Sequence, residues 1–285
     1  MSERTLPPPP GCNVELAEKV LSAFLREEVG KFGIKRVVLG LSGGIDSALV
    51  LELAARSLGP ENVTPVAMPY RTSNPISLSL ATEAAKHAGT DMEVVDISDI
   101  ADSHIQKAGI EDDDSPAARL RKGNIMARAR MVVLYDLSAR DSALVLGTSN
   151  KAELLLGYGT IHGDMASAIN PIGDLYKSQV FALSRHLNVP SGIVDRPPSA
   201  DLWEGQTDEE ELGFSYDEVD SLLHLQVDRR YSSEELQKLG FQKSFIEVIS
   251  KRVRANQYKR RPPVIAKLAN RTINLDYRYA RDWGA

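Results

Sequence analysis

The chain has 285 residues, 42 % of them hydrophobic, and its 34 basic and 39 acidic side chains leave a formal net charge of −5. That length suits one large core, or one core with a small appendage, and lysines and arginines distributed along an acidic chain exclude a protein that coats nucleic-acid phosphates. Cys12 is the only cysteine, the start is polar and proline-rich, and no run of about 18 apolar residues occurs, so the expectation is a cytoplasmic protein without membrane attachment that acts on small molecules.

After the prolines at positions 7–10, residues 14–29 carry apolar side chains at helical spacing. Residues 36–41 then form a short apolar run ending in Ser-Gly-Gly, and 48–55 favour a helix. The alternation continues, with strands over 63–68, 93–97 and 143–147 and helices over 77–88 and 117–139. Such alternation predicts a doubly wound α/β fold, a parallel sheet with helices on both faces. Beyond Thr148 the chain reads as loop-rich, and the proline-bearing, acidic stretch 195–213 reads as a lid or a disordered segment. Helices return over 216–229, 233–239 and 244–258. The expected organisation is one domain: a flexible start to residue 13, an N-terminal helix to 35, an α/β core to 190, a mobile loop over 191–215, and C-terminal helices and tail from 216.

The first strand runs into Gly40-Leu41-Ser42-Gly43-Gly44-Ile45-Asp46-Ser47. A glycine turn between strand and helix points backbone N–H groups at an anion, at the positive end of the helix. No Lys-Ser or Lys-Thr pair follows the glycines, so the loop is neither the Walker type nor G-x-G-x-x-G. An acid beside phosphate is repulsive unless a divalent cation lies between them, which makes Asp46 a candidate magnesium ligand, while Ser47 has a hydroxyl to donate to phosphate. On this loop alone, an ordinary turn with Asp46 placed for the helix dipole is the competing reading.

Ser42 to Ser47 after a first strand resembles the signature of the N-type ATP pyrophosphatases. Further blocks narrow the resemblance to the NAD synthetases: Lys122-Gly123-Asn124 through Arg128 to Met131, Gly147-Thr148-Ser149-Asn150-Lys151-Ala152-Glu153, Gly157-Tyr158-Gly159 through His162-Gly163-Asp164, Asn170-Pro171-Ile172-Gly173-Asp174 through Lys177, and Pro198-Ser199-Ala200-Asp201. They occur in order over about residues 14–265. The resemblance implies amidation of nicotinic acid adenine dinucleotide to NAD through an adenylated carboxylate, with release of AMP and pyrophosphate. Only about 35 residues precede the first strand, too few for a glutaminase domain, so free ammonia is the implied nitrogen donor unless a separate glutaminase subunit supplies it.

By the same resemblance Asp46 and Glu153 are the magnesium ligands, and Thr148, Lys177 and Ser199 contact ATP together with the loop. Asn124, Arg128, Asp164, Tyr258 and Lys259 contact the dinucleotide, and Asp164 takes a proton from ammonium or from the attacking nitrogen. Asp164, Asp46 and Lys177 are thus the expected catalytic set. Arg121, Lys122 and Arg130 share the helix of Arg128 and are further candidates to hold pyrophosphate. Out of context Lys177 equally opens an exposed helix, and Glu153 is equally a solvated surface residue. His162, a lone histidine in a polar loop, receives no role. The resemblance also implies a homodimer in which Lys259 and Arg260 reach the partner's site.

Three positions depart from the family pattern. Ala168 stands where relatives commonly have an aspartate, a contact that Asn170 could take over. Tyr258 replaces a histidine and cannot carry its charge, and Ile161 replaces a lysine. Two rivals remain at this stage. A tRNA-thiolating ligase would need cysteines or a basic RNA surface, and a nucleotide sensor would have no use for Asp46, Glu153, Lys177 and Asp164 together.

Overall fold

The computed structural model describes residues 6–31, 33–196 and 214–272. Four strands form one parallel sheet: β1 (Arg36–Gly40), β2 (Val63–Ala67), β3 (Glu93–Val94) and β4 (Ala143–Leu146). Their order is β3-β2-β1-β4, so successive crossovers run outward from β1 on one side and β4 returns to its other side. Ligands collect where strand order reverses in this way, at the carboxyl ends of β1 and β4. Val37, Val38 and Leu39 are fully buried, as expected of a central parallel strand covered on both faces.

Helices α1 (Val14–Gly30) and α2 (Ile45–Leu58) lie on one face with α3 (Pro75–Ala88), where Leu25, Val37, Leu39, Leu49 and Leu53 share a core. The other face packs Val38, Val66 and Val145 against α4 (Ser98–Lys107) and α5 (Pro116–Asp141). Beyond β4 follow α6 (Lys151–Leu156), α7 (Lys177–His186) and α8 (Ser191–Val194), then α9 (Tyr216–Leu223), α10 (Ser233–Lys238) and α11 (Lys243–Ala255). A third cluster, including Leu156, Tyr176, Val219, Leu222, Phe245 and Ile249, ties α6 and the start of α7 to this C-terminal part. Among the described residues no helix is long and apolar enough to cross a membrane.

Several expectations are revised. Helix α4 is absent from the sequence reading, because Asp and His interrupt its apolar face and only Ala101 and Ile105 mark the buried side. The region after Thr148 holds three short helices where loops were expected; each is too short to show periodicity, and α6 is closed by Gly157 at φ +66°. Strand β3 keeps two residues of the expected five. The helix expected over 216–229 is α-helical only to Leu223 and passes into a π turn at His224–Asp228. Of the stretch expected to be a mobile loop, residues 191–194 are helix α8, and 197–213 lie outside the described residues.

Candidate active site

A cavity of about 1180 Å³ opens at the β1/β4 crevice. Its floor is the loop between β1 and α2. Leu41 prolongs β1 by donating to the Val66 carbonyl at 2.8 Å, and the chain then turns at Gly43, φ +80°. A Cβ on Gly43 would lie 2.2 Å from the Ser77 carbonyl oxygen, so the loop rests on the backbone of α3 at a distance that only glycine permits. Gly44 caps α2 without a side-chain bond, which leaves the first-turn N–H groups available to an anion at the positive helix end. Ser47 is buried and donates to the Gly44 carbonyl at 2.9 Å, while its oxygen lies 3.1 Å from Ser42 Oγ. It shapes the loop from within.

Above the loop three helix starts converge. Asp46 stands in the first turn of α2, Glu153 in the first turn of α6, and Lys177 begins α7. The Lys177 ammonium is 2.5 Å from Asp46 Oδ2 and 3.8 Å from Glu153 Oε1. Lys177 is 2 % exposed, which disposes of its reading as the start of an exposed helix; Glu153, too, faces the cavity and is no solvated surface residue. Asn150, fully buried, donates from Nδ2 to Asp46 Oδ1 at 2.9 Å and accepts from Glu153 N at 3.0 Å, and Glu153 Oε2 answers by accepting from Asn150 N at 3.2 Å. One residue thereby fixes both carboxylates, Asp46 through its side chain and Glu153 through its backbone N–H. Sequence reasoning missed it as a site residue, although Asn followed three positions later by Glu is a helix-start signature.

Two carboxylates against one ammonium leave one negative charge over in this cluster, beside the phosphate loop. Among the described residues no three His, Cys, Asp or Glu side chains surround one point. Two oxygen-donor side chains nevertheless suit magnesium, which keeps several waters and takes its remaining ligands from phosphates.

The opposite wall comes from α5 and the segment after α6. Arg128 donates to the Ile161 carbonyl at 3.4 Å, Arg130 donates to the Met68 carbonyl at 3.0 Å, and Asn124 accepts from Thr160 Oγ1 at 2.7 Å. Asp164 lines the cavity and has exposed surface, although protein atoms crowd its carboxyl. Burial holds its carboxyl above the usual range, and the Thr160 N–H that it accepts at 2.6 Å opposes that shift. Lys259 donates to the carbonyls of Gly157 and Gly159 at 2.8 and 2.7 Å, and burial lowers its pKa. Arg260 donates to the Leu154 and Leu155 carbonyls at the end of α6. Within one chain both cations fasten the loops around the end of α6.

The cavity brings together Gly40, Leu41, Ser42, Gly44, Ile45, Asp46, Ser47, Thr148, Glu153 and Lys177 on the phosphate side with Asn124, Arg128, Asp164, Tyr258 and Lys259 on the other. Gly43 turns away toward Ser77, and Ser199 lies outside the described residues. Lys122 donates to the Glu111 carbonyl, and neither it nor Arg121 reaches the cavity wall. Asn170 donates to the Ser149 carbonyl at 2.9 Å and does not line the cavity, so it offers no replacement for the side chain missing at Ala168. His162 is exposed, with φ +58°. Ser73, Asn74 and Arg196 are further wall residues, carried on loops with no periodic signal to mark them.

A parallel sheet with a glycine loop, a helix start and paired carboxylates at its topological switch defines a nucleotide-binding α/β protein. The pattern of the family described as NAD synthase matches residues 17–263. The NH(3)-dependent NAD(+) synthetase of Chlorobium phaeobacteroides (strain BS1) is 55 % identical over 271 residues, 95 % of this chain and 96 % of that one. Among solved structures, the NH3-dependent NAD synthetase of Campylobacter jejuni superposes with a TM-score of 0.76 at 35 % identity, over 90 % of this chain and 100 % of that one. The NMN synthetase of Francisella tularensis has the same score at 30 % identity, over 90 % and 99 %. The chain belongs to the NAD synthase family, a family of ATP-using ligases of NAD biosynthesis. Neither the thiolating ligase nor the sensor is favoured.

Proposed function

We propose that this chain forms NAD from nicotinic acid adenine dinucleotide, ATP and ammonia. The observation that carries the reading is the convergence of Asp46, Glu153 and Lys177 over the phosphate loop, facing Asp164 across one cavity. At about 1180 Å³ the cavity exceeds the range of about 300–1000 Å³ common for single small ligands, which suits ATP beside a dinucleotide.

In the first step the nicotinate carboxylate attacks the α-phosphorus of ATP, the P–O bond to the β-phosphate breaks, and pyrophosphate leaves from an acyl adenylate. The α2 N–H groups and the Lys177 ammonium stabilise the charge that grows on the leaving phosphates. Asp46 and Glu153 are the residues that would hold magnesium, which when bound would supply further neutralisation of that charge. Thr148 and Ser199 contact ATP, and Asn124, Arg128, Tyr258 and Lys259 orient the dinucleotide. In the second step ammonia attacks the acyl carbon, the amide forms and AMP departs. Asp164 accepts a proton from ammonium or from the attacking nitrogen, a task suited to a carboxylate whose proton affinity burial has raised. The chain acts as a single domain, in the cytoplasm and as a homodimer; the exposed Val132 and Tyr135, one turn apart on α5, offer apolar surface to a second copy. Light scattering on the purified protein checks that state, and a monomer would remove the dimer from the proposal.

The deciding assay follows AMP and dinucleotide products with ATP and magnesium, comparing ammonium chloride with glutamine, and nicotinic acid adenine dinucleotide with nicotinic acid mononucleotide. NAD formed from ammonium and the dinucleotide is the expected result. AMP without NAD, amidation of the mononucleotide alone, or no turnover overturns the proposal.

A further inference from the structure

Helix α7 begins at Lys177, yet Tyr176 at its N-cap offers no side-chain hydrogen bond to the first turn. The missing acceptor comes from elsewhere in the chain. Asp220 Oδ2, on α9, accepts from the Ser178 backbone N–H at 2.7 Å. Four residues earlier on the same face of α9, the Tyr216 ring lies under the Lys177 ammonium, centroid to Nζ 5.2 Å. Both side chains are buried, Asp220 completely, and neither lines the cavity. A fully buried carboxylate is costly unless it has compensating donors, and Asp220 Oδ1 has no hydrogen-bond partner. Packing alone would be served better there by an apolar residue.

We propose that Tyr216 and Asp220 are positioning residues for the reaction: α9 grips the start of α7 at its backbone and beneath its first ammonium, and so fixes where Lys177 Nζ stands between Asp46 and Glu153. The proposal rests on the reading of Lys177 as a charge that acts on ATP phosphates. The cap holds the peptide that follows Lys177, and the ring holds the far end of the Lys177 side chain. With the backbone held by Asp220 and the ammonium by the ring, Lys177 keeps its reach to Asp46 without sampling other rotamers. Displacing a catalytic charge by about 1 Å is enough to cost up to about a hundredfold in rate.

The test compares the full-length wild type with Lys177→Ala, Asp220→Ala, Asp220→Asn, Tyr216→Leu and the double variant Lys177→Ala/Asp220→Ala, measuring kcat for AMP formation, KM for ATP and the thermal midpoint. Asp220→Ala should lower kcat by about tenfold or more. Asp220→Asn keeps a carbonyl oxygen for Ser178 N–H and should recover to within about threefold of wild type. Tyr216→Leu keeps apolar bulk without the ring and should lower kcat by about fivefold. The double variant should be no slower than Lys177→Ala, because Asp220 acts through that lysine. Full activity of Lys177→Ala would overturn the reading of the lysine itself. A slow Lys177→Ala beside an unaffected Asp220→Ala, or beside Asp220→Asn as slow as Asp220→Ala, would overturn the positioning role. So would effects that multiply in the double variant. If Asp220→Ala fails to fold, Asp220→Asn and Tyr216→Leu decide: a rate loss in Tyr216→Leu with retained rate in Asp220→Asn upholds the proposal, and any other combination overturns it.

Discussion

Lys177 and Asp46, 131 positions apart, meet at 2.5 Å, so the ammonium expected to contact ATP and a carboxylate expected to bind metal neutralise each other. Each keeps the other from standing as an uncompensated charge in a nearly closed site. On the proposed function, nucleotide and metal would exchange this pair for contacts of Lys177 with phosphate and of Asp46 with a cation.

Removing either carboxylate should therefore stop catalysis while leaving the fold in place. Asp46→Ala and Glu153→Ala are expected to lose about a thousandfold or more in AMP formation. Circular dichroism should match wild type, since Glu153 or Asp46 remains as a partner for Lys177. Full activity in either variant would remove the metal assignment.

Asn150 separates two effects. Asn150→Ala loses the α6 cap, about 1 kcal/mol in denaturant unfolding, as well as the bond to Asp46. Asn150→Ser retains a capping hydroxyl too short to reach Asp46. It should stay within about 0.5 kcal/mol of wild-type stability and yet run about tenfold slower. Wild-type rates in the serine variant would show that the Asp46 contact is dispensable.

Asp164→Asn tests the proton acceptor. Burial holds the Asp164 carboxyl above its ordinary range, so wild-type kcat should rise with pH along an acid limb placed above about pH 4. The amide variant should lose most activity and that limb with it. An unchanged limb in the variant would assign it to another group.

Asp220 gives a stability signature of known sign. Burial pushes its carboxyl up to about 6, whereas the unfolded chain titrates near 3.8. Between these values the folded state holds the extra proton, so the contribution of Asp220 to stability is full below the lower value and is lost as pH rises through the higher one. The difference corresponds to about 3 kcal/mol. Asp220→Asn does not titrate, so its stability relative to wild type should grow by about that amount between about pH 4 and pH 7 in urea unfolding. A flat difference would show that the carboxyl is unperturbed.

Much of this was legible beforehand. Alternating apolar runs identified the four strands of the described residues, and the Ser42–Ser47 loop stood out once the later motif blocks stood beside it in order. What stayed hidden depends on long-range contact. The Asp46–Lys177 pair joins residues that no local pattern relates, and the grip of Asp220 on Ser178 spans 42 positions. Helix α4 escaped because only Ala101 and Ile105 mark its apolar buried face, and the bond from Ser47 to the Gly44 carbonyl is one that no sequence pattern announces.

The seating of Gly43 on the Ser77 carbonyl has a consequence for how this gene can vary. A methyl group there would collide with backbone, which cannot swing aside as a side chain does, and the positive φ adds its own penalty for every other residue type. In a saturation library selected for growth, codon 43 should admit one amino acid, whereas Gly11 and Gly30, with open space about them, should admit many.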